Sequence, residues 1–88
     1  MKIIALDYDD TYTSDPDLWD AFVALAQARG HAIVCVTFRF PTMPIERPIP
    51  GVEVFYTGGA PKARYMEEQQ LKPDIWIDDW PELIGVTR

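Results

Sequence analysis

The sequence carries almost nothing from which a covalent staple or a soft-metal site could be built. Among its 88 residues there is one cysteine, Cys35, and one histidine, His31. A single thiol excludes an internal disulfide framework. A lone Cys and a lone His exclude a multi-cysteine or Cys/His zinc centre. Long hydrophobic runs are also missing, and none approaches the ~20 residues needed to span a bilayer. The opening Met1-Lys2-Ile3 does not lead into the apolar stretch and small-residue cleavage site of a secretory signal, so a cytoplasmic location is expected. Positive charge is scarce. Eight Lys and Arg stand against fourteen Asp and Glu, for a formal net charge of −6. Such a surface repels phosphate backbones, and stand-alone nucleic-acid binding is not expected.

What is present suits a small folded unit. Hydrophobic residues make up 48% of the chain and charged residues 25%, a globular balance that argues against disorder. The length allows one domain, residues 1–88. Ile3-Ile4-Ala5-Leu6 and Ala32-Ile33-Val34-Cys35-Val36 are unbroken apolar runs, as expected of strands buried on both faces of a parallel sheet. Val52–Tyr56 reads as a third, more exposed strand and Asp74–Asp78 as a fourth, while Val86-Thr87 suggests a small edge strand. Asp15-Pro16 is a helix start, after which Leu18, Phe22, Leu25, Ala26 and Arg29 recur at helical spacing until Gly30. Pro61 opens a second helix that runs to about Gln70. The order of strands and helices predicts an α/β fold: a Rossmann-like three-layer sandwich with a small, mainly parallel sheet of four to five strands and helices on both faces. Residues 38–51 hold four of the eight prolines, too many for helix or central strand, and read as a stiff loop able to act as a partial lid.

The acidic residues are unevenly placed. Asp7, Asp9, Asp10, Asp78 and Asp79 are five of nine aspartates, and each lies beside the carboxyl end of a predicted strand. In open α/β sheets ligands bind at that edge. Thr37 arrives there from the second strand and Lys62 from the first turn of the second helix. Converging carboxylates repel, by about 4 kcal/mol for two unit charges 4 Å apart at an effective dielectric near 20. A cation in their midst offsets this. An all-oxygen donor set points to a hard ion, with Mg²⁺ the usual choice beside phosphate. Lys62 opposes the macrodipole of its own helix, a local rule broken in the manner of functional sites. Together, a helix amino end and an ammonium make an anion receptor.

These residues, in this order, resemble the haloacid dehalogenase superfamily of phosphohydrolases. Asp7-Tyr8-Asp9-Asp10-Thr11 is similar to that family's Asp-x-Asp-x-Thr motif after a hydrophobic strand. Thr37-Phe38-Arg39 is similar to its Thr-x-Arg, Lys62 to its motif lysine, and Asp78-Asp79 to its acidic motif. The resemblance runs from Ile3 to about Leu83 and implies a Mg²⁺-dependent phosphatase, a phosphoric monoester hydrolase. Asp7 would be the nucleophile that becomes an aspartyl phosphate, and Asp9 the general acid and base. Thr37 and Lys62 would complete the catalytic set. Thr37, Arg39 and Lys62 would contact the substrate's phosphate. Asp7, Asp78, Asp79 and, through its backbone carbonyl, Asp9 would bind the metal. Family members usually carry a cap domain. Here only residues 12–16 and 38–51 are available, so the site is expected to be open to large phosphorylated substrates, or covered by a second copy or another chain. The alternative is a degenerate relative that binds phosphate or a partner without turnover. A receiver domain is excluded, because its phosphoacceptor Asp would follow the third strand, which here ends Phe55-Tyr56-Thr57-Gly58.

Overall fold

The apolar runs become strands because each can bury both of its faces. In the computed structural model, which describes residues 1–85, four strands form one all-parallel sheet. They are β1 (Ile3–Leu6), β2 (Ala32–Thr37), β3 (Glu53–Tyr56) and β4 (Ile75–Ile77), in the spatial order β3-β2-β1-β4. Leu6 lies opposite Cys35 on β2 and Ile77 on β4, so the carboxyl ends of three strands lie side by side. Thr37 is paired with Tyr56 at the corresponding end of β3. Two helices complete a small α/β fold: α1 (Pro16–Ala28) and α2 (Lys62–Glu68). The expected edge strand at Val86-Thr87 lies outside the described residues.

Strand alternation sorts the core into two clusters. Ile4, Leu6, Ile33 and Cys35 share one with Tyr8, Tyr12, Ile49 and the α1 residues Val23 and Ala26. Their sequence neighbours Ala5, Val34 and Val36 share the other with Met66 of α2. The face of α1 turned to the core is Trp19, Phe22, Val23 and Ala26. Leu18 and Leu25, expected on that face, are instead exposed at 55% and 63%. The helix has apolar residues on nearly all sides, so periodicity alone left the buried stripe ambiguous. The 19, 22, 23, 26 stripe wins because it carries the aromatic pair, Trp19 and Phe22, whose rings meet edge to face at 5.7 Å.

The helix ends follow local chemistry. Asp15 caps α1 by accepting from the Leu18 N–H, and Pro16 opens the first turn. Gly30, at φ +87°, closes α1 with N–H groups folded back onto the last turn. The second helix is shorter than expected. Pro61 has an extended ψ of 129° and stands outside α2, and the chain leaves the helix at Gln69. Gln70 then takes the left-handed position at φ +59°, where a side chain is strained. Its N–H and that of Leu71 donate to Glu67 and Met66, the same closure that Gly30 makes at α1. Gln70→Gly is therefore expected to stabilise the protein by about 0.5–1 kcal/mol, read as a higher urea midpoint at unchanged slope.

Candidate active site

Where β1, β2 and β4 end, the chain turns polar and its side chains converge. Asp7 follows β1 directly and is buried at 8% exposure. Its N–H donates to the Ile77 carbonyl, which carries the β1–β4 pairing one residue past the strand and fixes where the carboxylate starts. Lys62 is 2% exposed, and its ammonium faces inward. Nζ donates to Asp7 Oδ1 at 2.7 Å and to Asp78 Oδ2 at 2.6 Å. The Phe38 ring lies 5.8 Å from the same ammonium. One buried ammonium between two carboxylates compensates only part of their charge.

Asp7, Asp78 and Asp79 each offer a carboxylate oxygen, and these lie within 4.8 Å of one another. Thr11 stitches the group together. Its hydroxyl lies 2.9 Å from Asp7 Oδ2 and 3.1 Å from Asp79 Oδ1, and it accepts from the Asp79 N–H at 3.2 Å. With one proton, Thr11 serves one carboxylate at a time. Asp78 Oδ1 also accepts from the Trp80 N–H. A cavity of about 110 Å³ opens over these residues, lined also by Asp9, Asp10, Thr37 and Phe38. A larger cavity of about 620 Å³ lies beside α2 and β4, with Arg64, Lys72, Asp74 and Trp76 on its wall. Its wall mixes both charge signs and contains no converging carboxylates, so size does not mark the chemistry here.

The electrostatics are those of a cluster short of positive charge. Burial pushes Asp7 up from the ordinary 3.8 to about 6. Lys62 opposes the rise, and the charge of Asp78 and the hydrogen bond to Asp79 add to it. The hydrogen bond with Asp7 holds Asp79 below the usual carboxylate range despite some desolvation, and Thr11 assists. Below about pH 6 Asp7 therefore carries a proton beside an ionised Asp79, and above it both carboxylates are charged.

Of the sequence-predicted site residues, Asp7, Asp9, Thr37, Lys62, Asp78 and Asp79 all line this one cavity. Thr37 is 1% exposed, and its hydroxyl accepts from the Arg39 N–H at 3.2 Å. Asp9 is half-exposed, and both of its oxygens are held by Arg39, at 2.7 and 2.9 Å. The carboxylates of the close triad do not include its own. Arg39, expected against substrate, is not among the residues lining the cavity. Helix α2 has only seven residues, so the anion-receiving role expected of its amino end reduces to the Lys62 ammonium. Within segment 38–51 only Phe38 reaches the cavity wall. Its later part lies along the α1 side, where Ile45 and Ile49 meet the core and Gln27 donates to the Gly51 carbonyl. Arg47 pairs with Asp17 and Asp20 of α1. Sequence reasoning assigned no role to Thr11. Its signal was its place four residues after Asp7, inside the Asp-x-Asp-x-Thr stretch.

Compared with known proteins, the chain matches no family model, no curated protein and no solved structure.

Two outcomes test this electrostatic account. In the metal-free protein, folded Asp7 keeps a proton between pH 4 and 6 that the unfolded chain has lost, so this group lowers stability as pH rises through that window. Asp7→Asn removes the dependence. In EDTA, the variant's stability relative to the parent is expected to rise by on the order of 2–3 kcal/mol between pH 4 and pH 7, measured by urea unfolding. Lys62→Met strands two buried carboxylates and is expected to cost about 3–5 kcal/mol at neutral pH.

Proposed function

We propose that the protein is a Mg²⁺-dependent phosphatase that hydrolyses phosphate monoesters through an aspartyl phosphate on Asp7. The fold would be a minimal Rossmann-like three-layer sandwich of the haloacid dehalogenase type, working in the cytoplasm. One observation carries the reading: residues from four separate stretches of chain put three carboxylates, a buried ammonium and a hydroxyl around one small cavity at the carboxyl edge of a parallel sheet. The donor set fits the ion, being all hard oxygen within 4.8 Å and free of thiol or imidazole. Asp7, Asp78 and Asp79 would hold it, with the Asp9 backbone carbonyl. When bound, Mg²⁺ supplies positive charge between the Asp7 carboxylate and the phosphate oxygens.

The chain's own residues do the rest. Lys62, bound to Asp7 and Asp78, fixes the nucleophile's orientation. An Asp7 oxygen attacks phosphorus while the ester P–O bond breaks. Asp9, on the cavity wall, gives a proton to the leaving oxygen. Thr37 and Lys62 donate hydrogen bonds to the phosphoryl oxygens. Asp9 then takes a proton from the water that attacks phosphorus, which frees inorganic phosphate and restores Asp7. The shallow cavity and the exposed Trp80 at its rim leave the substrate's remainder largely in solvent, consistent with large phosphorylated substrates.

With Mg²⁺ the purified protein is expected to release phosphate from a small aryl phosphate, and EDTA is expected to stop the reaction. Asp7→Asn abolishes turnover with an unchanged circular dichroism spectrum. Mg²⁺ at a hundredfold excess over Kd stabilises the fold by about 2.7 kcal/mol, read as a raised melting temperature. A protein that stays inert across a broad panel of phosphate esters yet binds inorganic phosphate would be the non-catalytic relative instead.

A further inference from the structure

We propose that Arg39 is a positioning residue rather than a phosphate ligand: its guanidinium, braced by Glu46 and the Pro44 carbonyl, holds the Asp9 carboxylate at the mouth of the acidic cavity. The inference deepens the phosphatase reading and rests on it for the role of Asp9.

A guanidinium has five N–H groups in a fixed fork. In Arg39, Nε donates to Asp9 Oδ2 at 2.9 Å and Nη2 to Asp9 Oδ1 at 2.7 Å, a bidentate pair. Nη1 donates to the Pro44 carbonyl at 2.9 Å and to Glu46 Oε1 at 3.0 Å. Four of the five N–H groups are thereby spent, and the plane lies over the Tyr8 ring, 5.2 Å from its centroid. Tyr8 is itself tied to the same segment. Its hydroxyl donates to Glu46 Oε2 at 3.4 Å and accepts from the Arg47 N–H at 3.0 Å. Turning the guanidinium toward a phosphate would break its bidentate pair with Asp9 and its bonds to Pro44 and Glu46.

The cavity already has its own cation in Lys62, while Arg39 does not line it. Asp9 does, and its side chain is half-exposed on the loop that leaves β1. An exposed aspartate samples several rotamers, and the fork selects one. The fork uses one acceptor position on each Asp9 oxygen and leaves the others open to a leaving group or a water. The proline-rich segment acts as the anvil: Met43 to Arg47 cannot shift without moving the guanidinium, and Ile45 is fixed by its N–H to the Tyr56 hydroxyl. Residues well outside the cavity thus set where the proton donor stands.

The test is steady-state kinetics on a small aryl phosphate with Mg²⁺, alongside calorimetric binding of inorganic phosphate. Variants are Arg39→Met, Arg39→Lys and Glu46→Gln, the last an exposed side chain whose change leaves the fold intact. Arg39→Met and Arg39→Lys are expected to lose roughly 10- to 100-fold in kcat with KM within about twofold, because a misplaced catalytic group costs rate and not binding. Lysine keeps the charge but not the fork, so it fails to rescue. Glu46→Gln is expected to lose roughly three- to tenfold in kcat with the same split. A KM or phosphate Kd raised tenfold in Arg39→Met with kcat preserved would overturn the assignment, as would a Glu46→Gln protein indistinguishable from the parent. A parent protein without turnover sinks the phosphatase reading instead. Phosphate affinity then decides for Arg39, since affinity retained in Arg39→Met supports a non-ligand role and a tenfold loss refutes it.

Discussion

A single ammonium holds the functional end of this molecule together. Lys62 is 2% exposed and reaches two carboxylates on different strands, Asp7 after β1 and Asp78 after β4. Burying a lone charge is expensive, and each of these three would be intolerable without the others. Their mutual compensation lets a polar cluster sit at the edge of a sheet whose strands are otherwise apolar. It also ties α2, a helix of seven residues with no side-chain cap, to the strand ends. The same contact is a structural clamp and the orienting contact for the proposed nucleophile.

The compensation is incomplete, and this is where chemistry becomes available. Three carboxylates share one ammonium, and Asp7, pushed up to about 6 first by burial and then by Asp78 and Asp79, is the one that protonates most readily. The hydroxyl of Thr11 between Asp7 and Asp79 is the cluster's own means of lowering repulsion. The same close oxygens are the ones proposed to hold a hard cation. Cys35, one strand away, has its thiol pushed up to about 12 by burial and is an inert packing group.

The loop between β2 and β3 does more than connect. Its prolines make it stiff, Ile49 anchors it in the core, Tyr8 and Gln27 donate hydrogen bonds to it, and its Ile45 N–H donates to the Tyr56 hydroxyl. Arg39 joins this strap to the loop after β1 through Asp9. Phe38 reaches the cavity wall, and Ile45 and Ile49 hold the later part of the segment against the α1 side of the core. Proline content predicted the stiffness. It carried no information about which surface the stiff segment would lie on, because that depends on Ile45 and Ile49 finding the α1 side of the core.

The sequence by itself determined the strands, their parallel order of use, and the set of polar residues delivered to one edge. Apolar runs, Gly30 and the prolines are local signals, and Asp7, Thr37, Lys62 and Asp78 stand at fixed offsets from them. Tertiary structure alone decided the partners. Lys62 turns inward because buried Asp7 and Asp78 need it. Thr11 became the bridge between Asp7 and Asp79, Arg39 took Asp9 rather than the cavity, and Leu18 and Leu25 lost the buried stripe to Trp19 and Val23. Such choices rest on desolvation and on distances between residues as many as 68 positions apart, and neither is encoded in spacing along the chain.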